Sequence, residues 1–367
     1  MDEVPVHVLV AAAGFVAGIV FGATVQRTNF CTMGALSDIV FMGSYSRFRA
    51  WLLAIAIAIL VSQAMDYAGI VDLDQSIYLT TNFGWLGAIV GGLLFGFGMT
   101  LAGGCGNRIL VRAGGGNLKS IVAVLFLGIF AYMTLRGLVG VARVEMEQAA
   151  NIDLSRYGHA TQAVHDVLAT SLGLGGEAIR WLVTAVVAFG LLWYCFKDRE
   201  FRSSPRDIAA GVVIGLLIPA GWWITGVLGN DDFDPTPLGS FTFVAPTGDS
   251  IQYLMTFTGA AINFGIATVF GVIFGGFVAA VAFREFRLET FTDANDVLRH
   301  IFGGAIMGIG GVMALGCTIG QGVTGLSTLA LGSFVAWFSI MAGGFLGLKY
   351  LEEGSLPGAV KALLTRS

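Results

Sequence analysis

Nine apolar runs separated by short polar segments organise the chain, at approximately 8–26, 50–65, 85–103, 120–140, 178–196, 207–228, 256–283, 300–316 and 328–349. A helix needs about 20 apolar residues to cross a hydrocarbon core, and the runs are near that length. None carries the broad polar face that a helix on a soluble domain presents to water. The pattern predicts an all-α polytopic membrane protein with about nine transmembrane helices.

A second pattern lies inside the runs. Gly18 and Gly22 stand thirteen and nine residues before Cys31, and Gly92 and Gly96 stand likewise before Cys105. Gly304 and Gly308 repeat the interval before Cys317, and Gly211 and Gly215 count forward by it to Ile224. With nine spans, the first two copies run in one direction across the membrane and the last two in the other. Spans one to four and six to nine then form two inverted halves, an architecture in which the site lies between the halves. The expected division is an N-terminal half over 1–177, a connecting helix and loop over 178–206, and an inverted C-terminal half over 207–367. A small-x-x-x-small pair ordinarily marks a helix-packing face, and a cysteine is often a small buried apolar residue. The shared register of three thiols is what points beyond packing, to a common site.

The segments after the thiol-bearing copies are polar and glycine-rich: 28–38, 104–116 and 316–327. Each reads as a broken helix or re-entrant loop, which at membrane depth must be buried in protein or face a cavity. Free N–H groups and half-helix N-termini there attract anions.

Composition agrees with the membrane reading. Of 367 residues, 56% are hydrophobic and 12% charged, against about 25% charged in soluble domains; the mean hydropathy is +0.80. The 53 glycines are about twice the usual share of roughly 7%. Arg27, Arg47, Arg49, Arg108, Arg112, Lys119, Lys197, Arg199, Arg202, Arg206, Arg284, Arg287 and Arg299 follow the odd-numbered runs, whereas Asp66, Asp72, Asp74, Asp231, Asp232, Asp234 and Asp249 follow runs two and six. Lys and Arg stay on the cytoplasmic side, which places the N-terminus outside, the C-terminus inside, and the protein in the inner (plasma) membrane. Met1–Val8 carries Asp2 and Glu3 rather than a basic start, so no cleavable signal peptide is expected. The absence of a basic stripe with interleaved aromatics argues against a nucleic-acid partner, and no Walker A motif points to ATP.

At the cysteines the sequence resembles a known family. Gln26-Arg27-Thr28-Asn29-Phe30-Cys31 looks like the first signature of the YeeE/YedE membrane proteins, and Ala102-Gly103-Gly104-Cys105-Gly106 resembles the second. Gly316-Cys317-Thr318-Ile319-Gly320-Gln321-Gly322-Val323-Thr324-Gly325-Leu326-Ser327 is the strongest match. The resemblance implies import of thiosulfate or a related sulfur anion through an hourglass-shaped protein lined by Cys31, Cys105 and Cys317. Some members are linked to selenium metabolism, and small cytoplasmic sulfur-carrier proteins often accompany the family. One departure is the pair Arg108 and Arg112 close to the middle thiol.

Thiosulfate has hard oxygens at one end and a soft sulfur at the other. Neutral S–H groups are weak donors suited to that sulfur, and weak, multiple sites let an ion enter and leave. The expected path is lined by the three thiols with Gly104, Gly316, Thr318 and Gln321; Gln26 and Asn29 stand at the inner mouth, and Arg108 draws the anion or anchors the loop. No cofactor and no metal are expected. The alternative is a membrane-embedded thiol enzyme of the sulfurtransferase kind, but no His, Lys or paired carboxylate lies near Cys31, Cys105 or Cys317 in sequence to activate it. Cys195 reads as structural, Trp222 and Trp223 as interfacial anchors or a closure of the thiol-free quarter, and His159 and His165 as part of an amphipathic outer segment. Asp231-Asp232-Phe233-Asp234-Pro235 reads as a solvated turn.

Overall fold

The computed structural model describes residues 5–173, 175–231 and 235–364. The N-terminal acidic residues Asp2 and Glu3, and Asp232, Phe233 and Asp234 of the proposed turn, lie outside the described residues. The chain forms α1 (Val6–Thr28), α2 (Thr32–Ser37), α3 (Ser46–Tyr67), α4 (Trp85–Leu101), α5 (Gly106–Gly114), α6 (Leu118–Arg136), α7 (Leu138–Ala150) and α8 (Val164–Leu172). It continues with α9 (Gly176–Lys197), α10 (Arg199–Arg202), α11 (Pro205–Trp223), α12 (Ala245–Met255), α13 (Phe264–Ala282), α14 (Ala294–Met313), α15 (Leu331–Glu353) and α16 (Leu356–Leu364). Two residues each of β1 (Asn82–Phe83) and β2 (Ile152–Asp153) pair antiparallel.

Among the described residues eight segments are long and apolar enough to cross a membrane, which makes this an all-α polytopic membrane protein. The ninth long helix is α14, whose first turns carry Asp296, Arg299 and His300. The apolar run at 256–283 is longer than the helix it forms, because α13 starts only at Phe264, where the Asn263 side chain caps the Ile266 N–H at 2.8 Å. The run at 120–140 likewise divides at Gly137, where α6 ends and α7 begins.

The glycine pairs of the repeat are packing surfaces. A Cβ at Gly18 would stand 2.7 Å from the Thr268 carbonyl, and one at Gly22 would stand 2.9 Å from the Val272 carbonyl carbon, so α1 lies directly on the backbone of α13. Gly211 and Gly215 bring α11 onto Ala50 and Ala54 of α3, Gly92 and Gly96 bring α4 onto Ala336 and Gly344 of α15, and Gly304 and Gly308 bring α14 onto Ala123 and Ala131 of α6. Lipid supplies no hydrophobic drive between helices, so small residues that permit close van der Waals contact hold such pairs together.

The pairings are related by an exchange. Swapping α1 with α11, α3 with α13, α4 with α14 and α6 with α15 turns α1–α13 into α11–α3 and α4–α15 into α14–α6. The α4–α14 pair maps onto itself, meeting through Gly91 and Gly98 on one helix and Gly310 and Gly303 on the other. Helix α9 stands apart, packed mainly on α3, with Leu182, Val186 and Phe189 exposed as a lipid-facing stripe suits. Its Arg180 reaches inward, however. It pairs with Asp66 and donates at 3.0 Å to Gln63 Oε1, whose Nε2 donates to the Ser327 carbonyl at 3.0 Å.

Polar segments gather at two ends. At the basic end Arg49 pairs with Asp198 at 3.2 Å, Lys119 with Asp296 at 2.6 Å, and Gln26 Nε2 donates to Glu285 at 3.0 Å. At the other end β1 and β2 pair, the Leu154 N–H donates to the Thr81 carbonyl, and Gln162 bridges Thr80 to α15. The segment 141–177, expected as an amphipathic helix, is α7, β2, a 3-10 turn and α8, folded over this second end.

Candidate functional site

Cys31, Cys105 and Cys317 each sit where a long helix is broken, and the break has one cause. Asn29, Gly103 and Leu315 stand two residues before Cys31, Cys105 and Cys317, and all three are left-handed, with φ of 56°, 69° and 57°. Gly adopts that region freely and Asn is enriched there. Leu315 has no such excuse, and its strain is held by the loop around it. After the reversal the chain is extended at Cys31 (φ −157°, ψ 128°) and Cys105 (φ −72°, ψ 169°), then re-enters helix as α2 and α5. After Cys317 it enters a π-helical turn, Gly320–Gly325. The re-entrant segments expected at 28–38, 104–116 and 316–327 are therefore present. At the fourth copy nothing breaks: Ile224 is helical (φ −60°, ψ −43°) and continues into the π-helical turn Ile224–Leu228.

The breaks bring the thiols together. Cys31 Sγ lies 3.4 Å from Cys105 Sγ, and Cys105 Sγ lies 2.9 Å from Asn107 Oδ1. Asn107 Oδ1 can only accept, so Cys105 donates to it and Cys31 donates to the Cys105 sulfur. Asn107 Nδ2 then donates to the Phe30 carbonyl at 3.4 Å, closing a ring back beside Cys31. Cys317 comes in from the loop after α14: a Cβ on Gly106 would stand 3.8 Å from Cys317 Cβ and 3.8 Å from Phe243 Cβ. A side chain at 106 would therefore stand in van der Waals contact with Cys317 and Phe243, next to Cys105 in the chain. The Cys317 sulfur accepts the Gly320 N–H at 3.4 Å. All three thiols are free and buried.

The remaining predicted residues divide into two groups. Gly104, Gly316, Thr318 and Gln321 are beside the thiols in the broken segments. A Cβ on Gly104 would touch Ile109 at 3.3 Å, and one on Gly316 would touch the Gln321 N–H at 3.1 Å. Thr318 is fully buried and its hydroxyl has no partner, as is true of the Thr32 hydroxyl next to Cys31. Gln321 donates to the Ala314 carbonyl at 2.5 Å, and its Oε1 is unpartnered. Buried polar atoms without partners are uncommon, and here they flank the thiols. The second group lies toward the basic end. Arg108 donates to Asn29 Oδ1 at 2.6 Å and to the Val25 carbonyl at 3.3 Å, while its charge stays within electrostatic reach of Cys31 and Cys105. Gln26 is drawn to Glu285, which also pairs with Arg27 at 3.8 Å, so Gln26 is part of the mouth and not of the thiol cluster.

Two features were missed in the sequence. Asn107 is a buried amide in the first turn of α5, two residues after Cys105, and that placement was the available signal. The other is the segment before α12: Phe241 and Phe243 are fully buried, Phe241 stacks on Phe21 at 5.5 Å and Phe243 meets it edge-on at 5.1 Å, and Thr324 donates to the Phe241 carbonyl at 2.6 Å. These residues fill the quarter that has no thiol. Trp222 is buried and donates to Ser327 Oγ at 3.1 Å, whereas Trp223 is exposed. Cys195 is buried away from the cluster, its thiol donating to the Arg49 carbonyl at 3.3 Å. His165 lies beside Asp166 at 3.6 Å.

The pattern of the sulphur-transport family matches residues 27–346, a stretch that includes Cys31, Cys105 and Cys317. The thiosulfate transporter TsuA of Escherichia coli K12 is 27% identical over 362 residues, covering 93% of this chain and 92% of that protein. TsuA of Spirochaeta thermophila is 26% identical over 337 residues, covering 88% and 93%. The probable transporter YedE of Salmonella typhimurium is 36% identical over 98 residues, covering 26% of this chain and 22% of YedE. With the family pattern running from the first broken helix to the last long one, the chain belongs to the sulphur-transport family, the YeeE/YedE proteins that its cysteine segments resemble.

Proposed function

We propose that this protein carries thiosulfate, or a closely related small sulfur oxyanion, into the cell through the plane of the three thiols. The observation that carries the reading is the contact of Cys31 with Cys105 at 3.4 Å, with Cys317 adjoining across Gly106 from the other half. Three weak donors within reach of one another suit a soft terminal sulfur that must be held and released. The unpartnered hydroxyls of Thr32 and Thr318 are available to the oxygens. In this reading Cys31, Cys105 and Cys317 pass the ion, Gly104, Gly316, Thr318 and Gln321 line its way, and Asn29 and Arg108 receive it at the basic mouth, with Gln26 at the rim. Family membership assigns the chain to transport and not to catalysis.

The positive-inside rule places the basic end in the cytoplasm and the N-terminus outside, in the inner membrane. The residues 1–177 and 207–367 act as two inverted halves joined by 178–206, and the exchange of helix pairings supports this division. At the cytoplasmic mouth a small sulfur-carrier protein would take over the arriving sulfur. The test is depletion of thiosulfate from the medium by cells that depend on this protein. Transport gives intact thiosulfate inside in proportion to that lost outside. Sulfite or sulfide released by isolated membranes would instead mark a thiol enzyme.

A further inference from the structure

Where α9 meets α3 at the basic end, an open cavity of about 320 Å³ is lined by Arg49, Trp193, Tyr194, Lys197, Asp198 and Arg199. Its cations come from three elements: Arg49 from α3, Lys197 from the last turn of α9, and Arg199 from α10. Among the described residues Asp198 is the one carboxylate on the wall, and it is engaged twice. It pairs with Arg49 at 3.2 Å and accepts the Phe201 N–H at 2.9 Å. Three cations against one anion leave the wall with a surplus of positive charge. The neighbouring Glu200 accepts from Ser44 at 3.5 Å. Aromatic faces steady the cations: the Arg49 guanidinium lies 5.8 Å from the Tyr45 ring and 5.3 Å from the Tyr194 ring, and Lys197 Nζ lies 4.9 Å from the Trp193 ring. Arg49 Nε is buried without a hydrogen-bond partner, which is uncommon for a polar atom. The guanidinium therefore keeps donor capacity that Asp198 does not use.

The same helix supplies an apolar track to this cavity. Leu182, Val186, Phe189 and Trp193 recur at spacings of four, three and four, which puts them on one face of α9. Each is between 61% and 66% exposed. The track ends at Trp193, one turn before Lys197, so an apolar chain lying along it would bring its polar end to the cations. Trp and Tyr mark the level of lipid headgroups, and basic pockets between helices at that level receive anionic headgroups. Basic residues that only set orientation in the membrane need neither a shared cavity nor a track. A free inorganic anion would use the cations and leave the track idle. Both features together fit an amphiphile with an acidic head.

We propose that this cavity seats the phosphate of an anionic phospholipid, with an acyl chain along the track from Leu182 to Trp193, so that one lipid bridges α3 to α9 and α10. The purified full chain in detergent is titrated with phosphatidylglycerol, and bound lipid per protein is counted by native mass spectrometry. Parallel titrations use phosphatidylcholine and inorganic phosphate. Phosphatidylglycerol should bind saturably and raise the melting temperature, because a ligand of the folded state alone stabilises it; the other two should do neither. Lys197→Ala should weaken binding about fivefold, the contribution of one cation beside a charged lipid, and adding Arg199→Ala should bring the loss to about twentyfold. Both side chains are exposed, so without lipid the variants should melt as the parent does. Should the double variant fold poorly, Lys197→Ala alone decides. Arg206→Ala, at a basic position of α11 outside the cavity lining, is the control and should bind like the parent. Parental binding in the cavity variants, or equal weakening by Arg206→Ala, would overturn the seat. Saturation by inorganic phosphate alone, or by phosphatidylcholine to the same extent, would overturn the acidic lipid as its occupant.

Discussion

Cys105→Ala is expected to lower substrate uptake by about ten- to a hundredfold while the protein remains folded in the membrane. Cys105 is the middle of the hydrogen-bonded chain, accepting from Cys31 at 3.4 Å and donating to Asn107 Oδ1 at 2.9 Å. Alanine leaves the buried amide oxygen without its donor, a loss of about 1–3 kcal/mol, and about 1.4 kcal/mol corresponds to a factor of ten. It also removes the sulfur that Cys31 contacts. Cys105→Ser separates the two contributions, because it restores a donor to Asn107 without the polarisable sulfur. If softness matters, serine recovers folding stability more than it recovers uptake. The check is initial uptake rate per folded protein, with folding followed by size-exclusion profile and melting temperature.

The second large effect concerns stability. Gly96→Val should sharply destabilise the folded protein, with a cost of about 3 kcal/mol or more. A Cβ at position 96 would stand 2.7 Å from the Gly344 N and 2.9 Å from the Gly343 carbonyl carbon. These are backbone atoms, so no rotamer change relieves the clash, and α4 would have to lift from α15. Gly190→Val on α9 is the control, since nothing lies within 4 Å of a Cβ there. The melting temperature in detergent should fall steeply for Gly96→Val and stay within a few degrees for Gly190→Val. Equal behaviour of the two variants would mean that the glycine frame does not carry the packing.

The same frame explains what was legible before the fold was known. A thirteen- and nine-residue interval to each thiol required both a glycine face and a common break, and both are present. The glycines serve helix packing, one pair per helix contact, and the thiols serve the site. The breaks were readable because polar, glycine-rich sequence between apolar runs has few structures available at membrane depth. Their left-handed hinge was not readable at Leu315, where the residue type argues against that conformation. Residues that act at long range were also hidden. Gln162 and Gln63 sit in stretches without local pattern, and their roles come from partners 170 and 264 positions away. Asp231–Pro235 reads as a solvated turn, yet Phe241 and Phe243 further along the same connection are part of the buried core with the thiols, because aromatic side chains in a loop look interfacial until the packing is known.

The most direct test of the three-thiol account is uptake of thiosulfate labelled in its terminal sulfur into proteoliposomes, with excess sulfate as competitor, by the parent and by the Cys31→Ala, Cys105→Ala, Cys317→Ala triple variant. Sulfate shares the oxygens of thiosulfate and lacks the soft end. The account predicts uptake by the parent that sulfate barely reduces, and none above empty vesicles by the triple variant. Full uptake by the triple variant, or equal competition by sulfate, would contradict it.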